Sequence, residues 1–202
     1  MKKVVPYSLI FLSLFVFLFL SFLLITNNLN YFDSVIYEKI IYQNDYLTIL
    51  FNSITEFGDA IILIMLTLLF LLVIKNNKYG FLIAINLILS FLTGTIVKLF
   101  FLRNRPIKNV LTDTIGTSFP SSHSLVSTAF YGLLIYFVYQ KIDNKLLKTI
   151  IILALSLLIL LIMYSRVYLG AHYVSDVIAG FSLGISFLII FIDKFVSKII
   201  NK

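Results

Sequence analysis

The chain has no cysteine, only two histidines and three prolines, and charged residues fill just 12% of its 202 positions. Without cysteine it can form neither a disulfide nor a thiolate site for a metal or a nucleophile, although this absence does not point to a compartment. Scarce charge, with 60% hydrophobic residues and a mean hydropathy of +1.05, argues against a water-soluble globule and for a membrane protein. The net charge of +7 does not mark a nucleic-acid binder. The basic residues are not gathered on one face; they stand between apolar blocks, where they orient a membrane protein.

What is present is a set of six apolar blocks, at Tyr7–Ile25, Phe57–Ile74, Gly80–Phe101, Ser122–Tyr139, Leu146–Tyr164 and Val174–Ile192. Each approaches the roughly 20 residues that a helix needs to cross a hydrocarbon core about 30 Å thick. The first follows Lys2 and Lys3 as in a signal peptide, but it is long and lacks a small-residue cleavage pattern, so a retained membrane helix is expected. The expectation is one all-α, six-span domain over residues 1–202. With six spans both termini lie on one side, which receives Lys2, Lys3, Lys75, Lys78, Lys141, Lys145, Lys148, Lys194, Lys198 and Lys202. These are ten of the sixteen basic residues, which makes that side cytoplasmic. Asn27–Asp59 reads as the only long loop, acidic and on the outer side. In it Val35, Ile36, Ile40, Ile41 and Leu47 recur at roughly helical spacing, as either a short helix in the outer interface or a structured loop.

Three polar clusters interrupt the apolar pattern, and this topology puts all of them at the outer face. They are Lys98-x6-Arg105-Pro106, then Pro120-Ser121-Ser122-His123, then Ser165-Arg166-x5-His172-x3-Asp176. Both histidines and all three arginines fall in or beside them, Arg103 and Lys108 as headgroup- or substrate-proximal charges. Lys98 offers a point charge and Arg105 and Arg166 bidentate forks, as an anion site requires. Pro120 at a helix start leaves the amides of Ser121, Ser122 and His123 free to cradle an anion. A helix running from about His172 would put Asp176 on the same face, close enough to hold the imidazole. Two histidines beside a phosphate cradle describe phosphoryl transfer.

These three linked motifs resemble the signature of the type 2 phosphatidic acid phosphatase family, membrane lipid phosphatases that share a site plan with vanadium haloperoxidases and bacterial acid phosphatases. The resemblance implies a helical haloperoxidase-like core. It implies His172 as the nucleophile that forms a phosphohistidine, Asp176 as the group fixing its tautomer, and His123 as the acid and base. Lys98, Arg105, Ser121, Ser122 and Arg166 would hold the phosphoryl oxygens. It further implies chemistry without a metal or other cofactor. The expected partners are the bilayer and a lipid phosphate, with undecaprenyl diphosphate and phosphatidylglycerol phosphate favoured and phosphatidic acid possible. Ser122 departs from the family's glycine. The competing readings are a scaffold that binds or transfers a lipid phosphate without hydrolysis, and a transporter. The latter fits poorly with polar residues collected at one face.

Overall fold

The computed structural model describes residues 7–40, 44–74, 77–107, 110–112 and 114–200. Ile41, Lys2, Lys3, Lys75, Lys108 and Lys202, which entered the reading above, lie outside them. The described residues form helices α1 (Tyr7–Ile25), α2 (Asn30–Ile40), α3 (Asp45–Glu56), α4 (Ala60–Val73), α5 (Asn77–Phe101), α6 (Ser122–Lys141), α7 (Lys145–Tyr168) and α8 (Val174–Phe191). A wider turn at Ile192–Val196 carries α8 into α9 (Ser197–Ile200). There is no strand among the described residues.

Among the described residues four helices are long and apolar enough to cross a membrane: α1, α5, α7 and the continuous run Val174–Ile200. The pair α3 and α4, bent by 47° at its break, makes a fifth if taken as one span. Helix α6 has the length, 20 residues, but is less apolar, and its position explains why. It packs against α5, α7 and α8, so much of its surface meets helices and not lipid. Its Ser124, Ser127 and Thr128 are buried there.

Small residues set the closest approach. A Cβ on Gly180 would stand 2.4 Å from the carbonyl oxygen of Ser121, and one on Gly184 would stand 2.8 Å from that of Leu125. One turn apart on α8, these two glycines let its backbone lie against α6. On the other side of α8, Ser13 of α1 meets Ser186 in a 2.6 Å hydrogen bond. The starts of α6 and α8 are tied directly, the Ser121 amide donating to the Asp176 carbonyl at 3.0 Å.

The loop assignment needs correction. Asn27–Asp59 carries two helices, α2 and α3, and α3 packs against α7. Among the described residues the long irregular stretch is instead 102–107, 110–112 and 114–121, where Pro106, Gly116 and Pro120 interrupt helix geometry. This stretch, the ends of α5 and α7 and the starts of α6 and α8 meet at one end of the bundle. Lys78, Lys141, Lys145, Lys148, Lys194 and Lys198 lie toward the other.

Candidate active site

His172 does not lie on a helix. Helix α7 ends at Tyr168, and Gly170, at φ 71°, turns the chain back in a left-handed conformation that suits glycine. The Arg166 carbonyl then accepts from the amides of both Ala171 and His172, each at 3.1 Å. The spacing between Arg166 and His172 is that of a helix end folding back on itself. Helix α8 starts only at Val174, with Tyr173 as its cap and Asp176 in the first turn.

This corrects the expected contact between Asp176 and His172. The nearest approach of Asp176 Oδ2 to His172 Nδ1 is 3.7 Å, too far for a hydrogen bond. The carboxylate is already engaged, because Oδ2 caps its own helix by accepting from the Tyr173 amide at 2.9 Å. Ser118 fills the gap, its Oγ 2.5 Å from Asp176 Oδ2 and 3.2 Å from His172 Nδ1. An ionised carboxylate can only accept, so the Ser118 hydroxyl donates to Asp176 and accepts from Nδ1–H. That fixes the tautomer and leaves the lone pair on Nε2. Opposite Nε2, at 3.2 Å, stands Nη1 of Arg105.

His172 is only 1% exposed. Burial pushes its imidazole down to about 3, and Arg105 and Arg166 push the same way against Asp176. The ring is therefore neutral, with an available lone pair. Arg105 also donates to the carbonyls of Ala171, Ile115 and Gly116 at 2.8 to 2.9 Å. Lys98 donates to the Thr117 carbonyl at 2.5 Å. Arg166, buried, donates to Thr55 Oγ1 at 2.8 Å, while its Nε has no hydrogen-bond partner. Ser121 caps α6, its Oγ accepting from the Ser124 amide. The amides of Ser122 and His123, at the first two positions of α6, have no acceptor within the helix.

His123 stands beside Asp59, Nε2 to Oδ1 3.7 Å. The His123 ring holds the Asp59 carboxyl below its ordinary range. Nε2 of His123 is buried without a hydrogen-bond partner, like Nε of Arg166. Two buried donor positions left open at one site suit an anion.

The structure thus joins Arg105 to His172 directly and Asp176 to His172 through Ser118, and places Arg166 where its charge acts on His172. Lys98 and His123 reach other partners, a loop carbonyl and Asp59. Sequence reasoning missed Ser118, Asp59, Asp33 and the role of Arg103. Its place beside the motif suggests only a headgroup- or substrate-proximal charge. Its guanidinium is instead largely buried between Asp33 and Asp176, at 2.7 and 2.6 Å. Burial opposes the charge on Arg103, and the two carboxylates more than offset it, raising its pKa.

The family profile of the PAP2 superfamily matches residues 77–199, which include all three motifs. The chain belongs to the PAP2 superfamily. As a PAP2 protein it is a phosphatase of the hydrolase class, and its apolar helices make it a membrane protein. Among its relatives is the phosphatidylglycerophosphatase B of Bacillus subtilis, 36% identical over 105 residues. That match covers 51% of this chain and 50% of the relative, so the chain spans half the length of this relative. An undecaprenyl-diphosphatase of Sulfolobus acidocaldarius is 32% identical over 199 residues, 93% of this chain and 92% of the relative. The fold resembles the crystal structure of a transmembrane PAP2 type phosphatidylglycerolphosphate phosphatase from Bacillus subtilis. The TM-score is 0.81 at 26% identity, over 93% of this chain and 96% of that one. The structure of Aquifex aeolicus LpxE matches with a TM-score of 0.65 at 25% identity, over 78% of this chain and 93% of that one.

A groove of about 860 Å³ lies between α1 and the end of α5, lined by Phe17, Leu24, Val97 and Phe101, with Arg103 and Asn104 among its polar residues. Neither catalytic-motif histidine lines it. Arg105 covers the Nε2 side of the His172 ring.

Proposed function

We propose that this protein hydrolyses a membrane lipid phosphate through a phosphohistidine on His172, in a six-span bundle whose site faces the extracytoplasmic side. The observation that carries the reading is the neutral, buried His172, its Nδ1–H held through Ser118 and its Nε2 lone pair aimed at a guanidinium. Nε2 attacks phosphorus as the bond to the leaving oxygen breaks, and His123 gives that oxygen its proton. His123 then takes a proton from water, whose oxygen displaces Nε2 and releases phosphate. Lys98, Arg105, Arg166, Ser121 and the first amides of α6 around Ser122 exchange their carbonyl and hydroxyl partners for phosphoryl oxygens, whose charge grows in the transition state.

The count of six treats α6, enclosed by its neighbours, as a span and α3 with α4 as one bent span. Lysine at the opposite end supports a cytoplasmic location for both termini. Among lipids, undecaprenyl diphosphate and phosphatidylglycerol phosphate come first, since relatives bear those names, with phosphatidic acid third. No metal takes part.

The test is phosphate release in detergent and excess EDTA from these three lipids, for wild type and His172→Ala. Release that survives EDTA and disappears in the variant is expected, and the ranking names the substrate. No release from any of the three by folded protein overturns hydrolysis in favour of lipid-phosphate binding or transfer. Release abolished by EDTA overturns the metal-free mechanism.

A further inference from the structure

Helix α2 lies outside the motif-bearing segments, yet one of its side chains reaches their centre. Asp33 is 1% exposed and accepts three hydrogen bonds. Its Oδ1 takes the Ser175 amide at 3.1 Å, and its Oδ2 takes the Ser175 hydroxyl at 2.6 Å and Nη2 of Arg103 at 2.7 Å. Nη1 of Arg103 donates in turn to Ser175 Oγ at 2.8 Å and to Asp176 Oδ1 at 2.6 Å. The face of the same guanidinium lies 4.3 Å from the centre of the Tyr173 ring. Tyr37, one turn after Asp33 on α2, packs against that ring at 5.9 Å. Asp33 and Tyr37 therefore grip Arg103 and its platform from one face of α2.

Arg103 has somewhere else to go. It lines the 860 Å³ groove and also a second cavity of about 570 Å³ toward Thr114 and Thr117. A guanidinium with open space beside it stays on Asp176 only if something fixes its other edge, and Asp33 is the group that does so.

We infer that Asp33 and Arg103 are positioning residues of the reaction, through which α2 sets the Asp176 carboxylate and, by way of Ser118, the His172 ring. This rests on the reading of His172 as nucleophile. Neither residue touches the phosphoryl group. Their contribution appears in the orientation of Nε2 and therefore in kcat, with little change in KM. Groups that orient a reacting ligand from behind it are worth about 10- to 100-fold.

The experiment measures kcat and KM for the fastest-hydrolysed of the three lipids, per mole of monodisperse protein. The variants are Asp33→Asn, Asp33→Glu, Arg103→Lys, Arg103→Met and Asp33→Asn with Arg103→Met. Asp33→Asn is expected to lower kcat about tenfold or more with KM within about threefold. Arg103→Lys, which keeps the charge, should retain more activity than Arg103→Met. In the Arg103→Met background the Asp33 change should cost clearly less than it does alone, since Asp33 acts largely through Arg103 and keeps only its bonds to Ser175 there. A purely structural ion pair would lower the melting temperature and leave kcat per folded molecule intact. Asp33→Asn with wild-type kcat overturns the inference, as do additive losses in the double variant. Should Asp33→Asn fail to fold, Asp33→Glu decides: it keeps the charge but displaces the anchor, and undiminished kcat overturns the inference. If the wild type itself releases no phosphate, the nucleophile reading fails and this one with it.

Discussion

Nη1 of Arg105 stands 3.2 Å from Nε2 of His172, the nitrogen that is the nucleophile in the proposed reaction. Three backbone carbonyls hold the rest of that guanidinium, and all of them are neutral acceptors. A phosphate offers full charges in a bidentate arrangement, so it competes well for the fork. Lysine has the charge but neither the fork nor the reach to several acceptors. Arg105→Lys should therefore lower kcat/KM by about 10²- to 10³-fold, the usual cost of losing a donor to transition-state charge. Steady-state phosphate release measures it. Retention within about threefold would reduce Arg105 to a tie for the 115–116 loop.

Among the described residues Ser118 is the one bridge between Asp176 and His172 Nδ1. Ser118→Ala removes one hydroxyl from a buried position and leaves Nδ1–H without its acceptor, so both ring orientation and tautomer become free. The expected loss is about 100-fold in kcat with KM little changed. Unaltered kcat would mean that Asp176 closes the 3.7 Å gap and bonds the ring itself.

How far the site was legible follows from where each signal resides. The motif residues announce themselves by type, since histidine and arginine are rare in apolar sequence and their spacing is local. Arg103 carried the same signal, one of three arginines and two residues before Arg105, but its partners lie 70 and 73 residues away. Nothing in a linear pattern pairs Asp33 with it. Ser118 is invisible for a different reason: serine is common here, and only the fold-back at Gly170 brings His172 to it. The helical segments were legible because apolar blocks have helical length. The irregular residues between α5 and α6 that the structure describes were hidden behind the polar look of Asn27–Asp59, where amphipathic α2 and α3 carry both polar and apolar faces.

Gly58, at the bend between α3 and α4, makes room for His123. A Cβ there would come within 2.9 Å of His123 Cδ2, 2.9 Å of Ile162 Cγ2 and 3.0 Å of Ser127 Oγ. Contacts from α6 and α7 together leave no direction of relief, so Gly58→Ala should cost about 1–3 kcal/mol in stability and move the ring. If His123 protonates the leaving oxygen, the loss should depend on the leaving group. Turnover of a lipid phosphate monoester, whose alkoxide needs a proton, should fall at least about tenfold more than that of an aryl phosphate with an acidic phenol. Equal losses on both substrates would sink the general-acid role.

The burial of His172 also makes a prediction about acid stability. Its folded value of about 3 lies below the ordinary 6.5. Between these two values the unfolded chain binds a proton at this position and the folded chain does not, so stability falls as pH falls through that window. One proton contributes at most about 1.4 kcal/mol per pH unit. Asp59, whose folded value lies below the usual 3.8, adds its own loss only at still lower pH, and His123 is common to both proteins, so the contribution of His172 is read as the difference in slope between wild type and a variant that lacks it. The melting temperature in detergent should drop across that window for the wild type. In His172→Gln, which cannot titrate, the slope should be shallower by one proton. Parallel slopes would mean that the ring takes up its proton in the folded protein, and that the nucleophile is not held neutral.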